Sequence, residues 1–177
     1  MNVTQPGNHV DQLIRQTRAH HVQLSSMADL KANMLLTMAS IVVTLAAPQA
    51  MKAGSQWSLL VLITFSLITI LLAAYAVMPK LPVQLGPQPD APPDLKSPAF
   101  NILFFGDFTR LSYEEFEREM INALNDPHRT YELQIREIYS LGQFLAQKKY
   151  RYLRLAYGTF ITGLLLSFLT LLFTSQA

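Results

Sequence analysis

The segment LGQFLAQKKYRYLRLAYGTFITGLLLSFLTLLF, from Leu141 to Phe173, changes character in its middle. Four lysines and arginines lie in its first half, and no charged side chain follows Arg154. A helix that crosses a bilayer needs about 20 predominantly apolar residues. The segment after Arg154 meets this length, so we predict a membrane-spanning helix with a basic cluster at one end.

Two further stretches of the 177-residue sequence, 32–51 and 53–79, lack Asp, Glu, Lys, Arg and His. Only 15% of the residues are charged, against about 25% in an average soluble domain. We predict three transmembrane helices: one at 57–78, one at 156–174, and one at the end of a longer helix, 9–47. The apolar part of 9–47 is the shortest, and an interfacial or buried helix is the alternative there.

The basic residues are distributed unevenly along the sequence. Ten of the fourteen lysines and arginines lie in the segment 79–155, and none follows the third predicted span. The positive-inside rule therefore places the N-terminus and 79–155 in the cytoplasm and the C-terminus outside. Basic side chains next to a span meet anionic lipid. The predicted membrane-interface anchors are Lys31, Lys148, Lys149, Arg151 and Arg154.

The predicted fold class is an all-α membrane protein. Two of its three transmembrane helices are continuous with long cytoplasmic helices, at 9–47 and 127–174, which form a small helical bundle. Residues 1–8 are predicted to be a disordered start. The segment 79–99 is a proline-rich cytoplasmic linker, because seven prolines in twenty residues exclude a regular helix. Residues 100–155 form the cytoplasmic helical region.

Two local signals fix helix starts in that region. Ser112 and Glu115 have capping-box spacing, which predicts that a helix begins after Ser112. Asp126 is a favourable N-cap, and Pro127 suits the first position of the next helix. The aromatic side chains between Phe100 and Tyr113 are predicted to form a small core, with stacking on a nucleobase as the alternative.

The sequence offers no recognisable catalytic or metal-binding pattern. It contains no cysteine, and His20 and His21 are adjacent rather than four residues apart as in a two-histidine helical metal site. A Ser25, His21 and Asp29 group on one helix would lack an oxyanion hole. We predict no enzyme activity, no metal, no cofactor and no nucleic-acid partner.

Four arginines are the candidate anion-binding residues. Arg15 and Arg18 share one helix face, and Arg129 and Arg136 lie two turns apart on another helix. Guanidinium groups bind phosphate bidentately. The alternative is that these arginines form salt bridges with Glu132, Glu137 and the acidic helix. The predicted ligand-binding set is Arg15, Arg18, Arg129, Arg136 and Phe105.

Three blocks in order carry a resemblance to a known family: DLKANMLL at 29–36, FFGDF at 104–108, and YELQIREIYSLGQFLAQKKYRYLRLAYGTF at 131–160. Together with the three-span pattern, they resemble the Pycsar effector transmembrane family of bacterial anti-phage defence. The resemblance covers about residues 10–170.

The resemblance implies a membrane effector that works with a partner nucleotide cyclase. Its implied signal is a cyclic nucleotide of the 3′,5′-cyclic pyrimidine monophosphate class. Its implied effect is impairment of the bacterial inner membrane that ends in abortive infection. Small and hydroxyl residues in the spans favour helix contacts in lipid, so a homo-oligomer is expected. A membrane scaffold whose cytoplasmic bundle binds a protein partner is the alternative function.

Overall fold

The computed structural model describes residues 7–52, 57–78, 95, 97 and 100–174. About 90% of these residues are helical and none of them forms a strand, which confirms the all-α prediction. The helices are α1 (Asn8–Lys52), α2 (Trp57–Val77), α3 (Phe105–Phe108), α4 (Tyr113–Asn125), α5 (Pro127–Phe144) and α6 (Arg151–Thr174), with a π-helical turn, Leu145–Tyr150, joining α5 to α6. The predicted disordered start and proline-rich linker lie almost wholly outside the described residues.

Among the described residues, three helical segments are long and apolar enough to cross a membrane. They are α1, α2 and the continuous segment Pro127–Thr174. The first and third contain 45 and 48 residues, more than twice the length of about 20 that a span requires. This confirms that two of the three transmembrane helices continue as long helices beyond their apolar part.

Helix α1 runs further than the sequence suggests. We expected it to end at Ala47, before Pro48, but it continues through Pro48 to Lys52. Proline removes one backbone donor and crowds the preceding turn. Because Pro48 lies near the end of α1, the disturbance is confined to the last turns, and membrane helices tolerate such prolines.

The chain divides into two compact units, each of which contains part of α1. The first unit includes the described residues 7–22, 95, 97 and 100–143, and the second includes 23–52, 57–78 and 144–174. In the second unit, α1, α2 and α6 pack together around two small clusters, one centred on Ala28, Ala32 and Leu153, the other on Leu35, Ala73 and Ala156.

The second unit has small side chains inside and large apolar ones outside. The buried residues of α2 are Ser58, Ser66, Thr69, Ala73 and Ala76, whereas leucines such as Leu71 and Leu165 are largely exposed. A soluble core shows the reverse arrangement. In lipid, burying a leucine side chain between helices gives no hydrophobic stabilisation, because the lipid tails are equally apolar. Small residues at the contacts instead let the helix backbones approach closely. This arrangement identifies the second unit as a membrane-embedded helix bundle.

The first unit has a small apolar core of its own. Phe100, Ile102, Ala123 and Leu133 are buried together, which confirms a core role for part of the predicted aromatic cluster. Phe104 and Tyr113, in contrast, are exposed. At the start of α4 the Ser112 hydroxyl accepts from the Glu115 N–H and the Glu115 carboxylate accepts from the Ser112 N–H, so the predicted capping box is present.

Candidate functional site

The start of α5 positions the first candidate site. The Asp126 carboxylate accepts a hydrogen bond from the His128 N–H at 2.9 Å, and Pro127 is the first residue of the helix. Both features match the predicted helix start. Because Asp126 already caps one of the free amides, binding of an anion in this region depends mainly on side chains.

Two arginine side chains on α5 converge on one carboxylate. Arg136 Nη2 lies 3.0 Å from Glu132 Oε1, and Arg129 Nη1 lies 3.9 Å from Glu132 Oε2. The spacing explains the geometry, because residues three and four positions from Glu132 lie on its own helix face. Each of the two carboxylate oxygens therefore faces a different guanidinium group.

Arg129 and Arg136 also line a small cleft, here called the arginine cleft. Its volume is about 20 Å³, roughly enough for one water-sized group. The other lining residues are Leu95, Phe100, Ile102, Glu119 and Leu133. The cleft is thus lined by two guanidinium groups, by the carboxylate of Glu119 from α4, and by apolar side chains from the core of the first unit. It has room for about one oxygen-sized group and does not enclose a nucleotide.

The other predicted ligand residues lie elsewhere in the first unit. Arg18 Nη2 pairs with Glu137 Oε1 at 3.0 Å, and Arg15 is exposed on α1. Phe105 is 52% exposed, with its ring centroid 4.9 Å from that of Phe104. None of these three side chains lines the arginine cleft.

The pairing of Arg18, Arg129 and Arg136 with glutamates is the alternative that the sequence offered for these arginines. The sequence could point to Glu132 as a partner, because it lies at helical spacing from both arginines of α5. It could not place Glu119 or Phe100 in the cleft, because their contact with α5 depends on how separate segments of the chain pack.

The π-helical turn forms a second polar site, in the second unit. Lys148 and Lys149 both lie in this turn and are only 7% and 9% exposed. Lys148 Nζ donates to the Met78 carbonyl at the end of α2, at 2.7 Å, and lies 5.4 Å from the centroid of the Tyr75 ring. Two consecutive lysines therefore lie in the interior of the helix bundle. The π-helical turn that contains them is a rare element, often found at functional sites.

Lys149 makes three short polar contacts with side chains of α1. Its Nζ donates to both Asp29 carboxylate oxygens and to the Ser25 hydroxyl, each at 2.7 Å. The next residue, Tyr150, donates its hydroxyl to the Leu24 carbonyl at 3.1 Å. These bonds fasten the π-turn to α1, so Asp29 acts as the partner of a buried lysine.

The interface role of the basic cluster stays a prediction. Lys148 and Lys149 are buried in the helix bundle, where Lys148 donates to the Met78 carbonyl and Lys149 to the Asp29 carboxylate. Lys31, Arg151 and Arg154 are exposed. For these three, contact with lipid headgroups stays a prediction.

Within the described residues, the fold and its apolar exterior define an all-helical membrane protein that has three helices long and apolar enough to cross a bilayer, together with a charged helical unit. The family model for the Pycsar effector protein domain matches residues 12–175. The chain belongs to this family, and its role is therefore that of a membrane effector in anti-phage defence. No curated protein and no solved structure gives a significant match to the chain.

Proposed function

We propose that the protein is a ligand-activated membrane effector whose first unit binds a cyclic nucleotide, and that binding leads its second unit to impair the bacterial inner membrane. The ligand is a 3′,5′-cyclic pyrimidine monophosphate made by a partner cyclase, and the outcome is abortive infection. The observation that carries this proposal is the convergence of Arg129 and Arg136 in a charged unit attached to a membrane bundle. Paired guanidinium groups suit a phosphate.

The proposed orientation follows from charge. With the N-terminus and residues 79–155 in the cytoplasm and the C-terminus outside, thirteen of the fourteen lysines and arginines lie on the cytoplasmic side. The arginine cleft then faces the compartment in which a cyclase would release its product. Exposed Lys31, Arg151 and Arg154 would contact headgroups at the same side of the membrane.

The proposed mechanism is a shift between two arrangements and involves no chemical turnover. A ligand shifts such an equilibrium only when it binds one arrangement more tightly than the other. Both α1 and the Pro127–Thr174 segment contribute residues to each unit, which supports their role in coupling ligand binding to the membrane bundle. A homo-oligomer would add the contributions of several identical sites.

A thermal-shift measurement on the detergent-purified protein tests ligand binding. A specific ligand at 100 times its Kd stabilises the folded state by about 2.7 kcal/mol. For a chain of this size that corresponds to a rise in Tm of about 5–10 °C. We expect this rise with one cyclic nucleotide, and we expect Arg129→Ala to abolish it.

The matched control is Arg118→Ala, because Arg118 is an exposed arginine on α4 that does not line the cleft. This variant should retain the full rise in Tm. Absence of a rise with every cyclic mono- and oligonucleotide tested would contradict the proposal and would favour a scaffold that binds a protein partner.

A further inference from the structure

The pair of arginines in the cleft already holds an anion, the carboxylate of Glu132. We infer that this carboxylate occupies the place of a ligand phosphate, and that a phosphodiester monoanion binds Arg129 and Arg136 by displacing it. The inference rests on the proposed function in one respect, the identification of the phosphodiester as part of a cyclic nucleotide.

The first support is geometric. Each Glu132 oxygen faces a different guanidinium group, at 3.0 and 3.9 Å. A phosphodiester also presents two charged oxygens to its partners, so it can replace the carboxylate without a large movement of either arginine. Replacement only requires the Glu132 side chain to adopt another rotamer. Because this side chain is already 39% exposed, its carboxylate can turn into solvent.

The second support is that the glutamate is weakly held. The side chains of Arg129, Glu132 and Arg136 are between 29% and 43% exposed to solvent. Ion pairs of this kind on one helix are screened by water and add little stability. An anion from solution can therefore compete with Glu132 more readily than with Asp29, because the partner of Asp29, Lys149, is buried.

The third support is the charge balance of the cleft. Arg129 and Arg136 line the cleft together with Glu119, and both also contact Glu132, so these four side chains carry no net charge before ligand binds. A phosphodiester carries a single negative charge and takes the place of the single charge of Glu132. A 5′-monophosphate carries about 1.5–2 negative charges near neutral pH, and the carboxylate of Glu119 opposes the excess. The cleft should therefore prefer the cyclic ester over the open one.

The small volume of the cleft limits what it recognises. About 20 Å³ admits roughly one oxygen-sized group, so at most one charged oxygen of the phosphodiester can enter the cleft and the rest of the ligand must lie outside it. The same phosphodiester chemistry occurs in a cyclic nucleotide and in the headgroup of phosphatidylglycerol, so the test includes both sources.

The test is a titration of the full-length protein in neutral detergent, with Kd measured for cyclic CMP, 5′-CMP and short-chain phosphatidylglycerol. We expect Glu132→Gln to lower the Kd for cyclic CMP about two- to tenfold, because the competing anion is gone. Arg136→Gln should raise the Kd at least tenfold. In the wild type, cyclic CMP should bind more tightly than 5′-CMP.

The matched control is Glu137→Gln, which removes a glutamate from the same helix that pairs with Arg18 outside the cleft. It should leave every Kd unchanged. If Glu132→Gln weakens binding of cyclic CMP or leaves it unchanged, Glu132 does not compete with ligand and the inference is wrong, although the proposed function stands.

The three probes also distinguish a cyclic nucleotide from a phosphatidylglycerol headgroup as the source of the phosphodiester. Binding of phosphatidylglycerol alone, tightened by Glu132→Gln, would support the cleft as a phosphodiester site while overturning the cyclic-nucleotide part of the proposed function. Absence of binding by all three probes would overturn the inference for this cleft.

Discussion

Replacement of Asp29 by asparagine is expected to lower the free energy of unfolding by about 2 kcal/mol. The substitution keeps the size of the side chain but leaves the Lys149 ammonium, which is 9% exposed, without its carboxylate. Breaking a fully buried ion pair costs about 3–5 kcal/mol. Because the Asp29 side chain is 41% exposed and partly screened by water, the expected loss is smaller.

A double-mutant cycle with Lys149→Met measures how much of this loss belongs to the pair. Removing both partners should cost less than the sum of the two single losses, because neither charge is then left alone. Arg151→Met is the matched control, since Arg151 is an exposed basic residue just beyond the π-turn. Additive losses in the cycle would show that Asp29 and Lys149 contribute independently. Denaturation in detergent provides the free energies.

Gly163→Ala is expected to destabilise the membrane bundle by about 1–3 kcal/mol, the usual cost of overpacking. A Cβ on Gly163 would overlap the Cβ of Phe65 and lie 2.9 Å from its Cγ. Phe65 is on α2 and Gly163 on α6, so the added methyl group pushes the two helices apart. Close approach of helices at small residues is a main source of stability in lipid.

The same helix contains a control for this substitution. A Cβ on Gly158 meets nothing within 4 Å. Gly158→Ala should leave the stability unchanged or raise it by up to about 1 kcal/mol through helix propensity. Equal losses for the two alanine variants, measured as Tm in the same detergent, would contradict close packing of α2 on α6 at Gly163.

The spanning helices could be predicted from the sequence because their signal is local. Each needs only a charge-free apolar stretch of sufficient length, and the helix starts at Ser112 and Asp126 need only the right residues at the right spacing. The end of α1 was predicted less well. Proline at position 48 argues for an end, but α1 continues past it to Lys52, as membrane helices tolerate such prolines.

The polar contacts could not be predicted because they depend on packing. In sequence, Lys148, Lys149, Arg151 and Arg154 form one basic cluster, and no rule separates the two that point inward. The π-turn inserts an irregular step into the helix, and acceptors on α1 and at the end of α2 then decide where the lysines lie. Likewise, Glu119 reaches the arginine cleft only because α4 packs beside α5.

The proposed function requires that a cyclic nucleotide trigger this effector to impair a membrane. The most direct test reconstitutes the full-length protein into vesicles of phosphatidylethanolamine and phosphatidylglycerol loaded with a self-quenched dye. We expect a cyclic pyrimidine monophosphate to release the dye, and the matching 5′-monophosphate to release none. Dye retention with every cyclic nucleotide, at concentrations at which the protein binds one of them, would contradict the account.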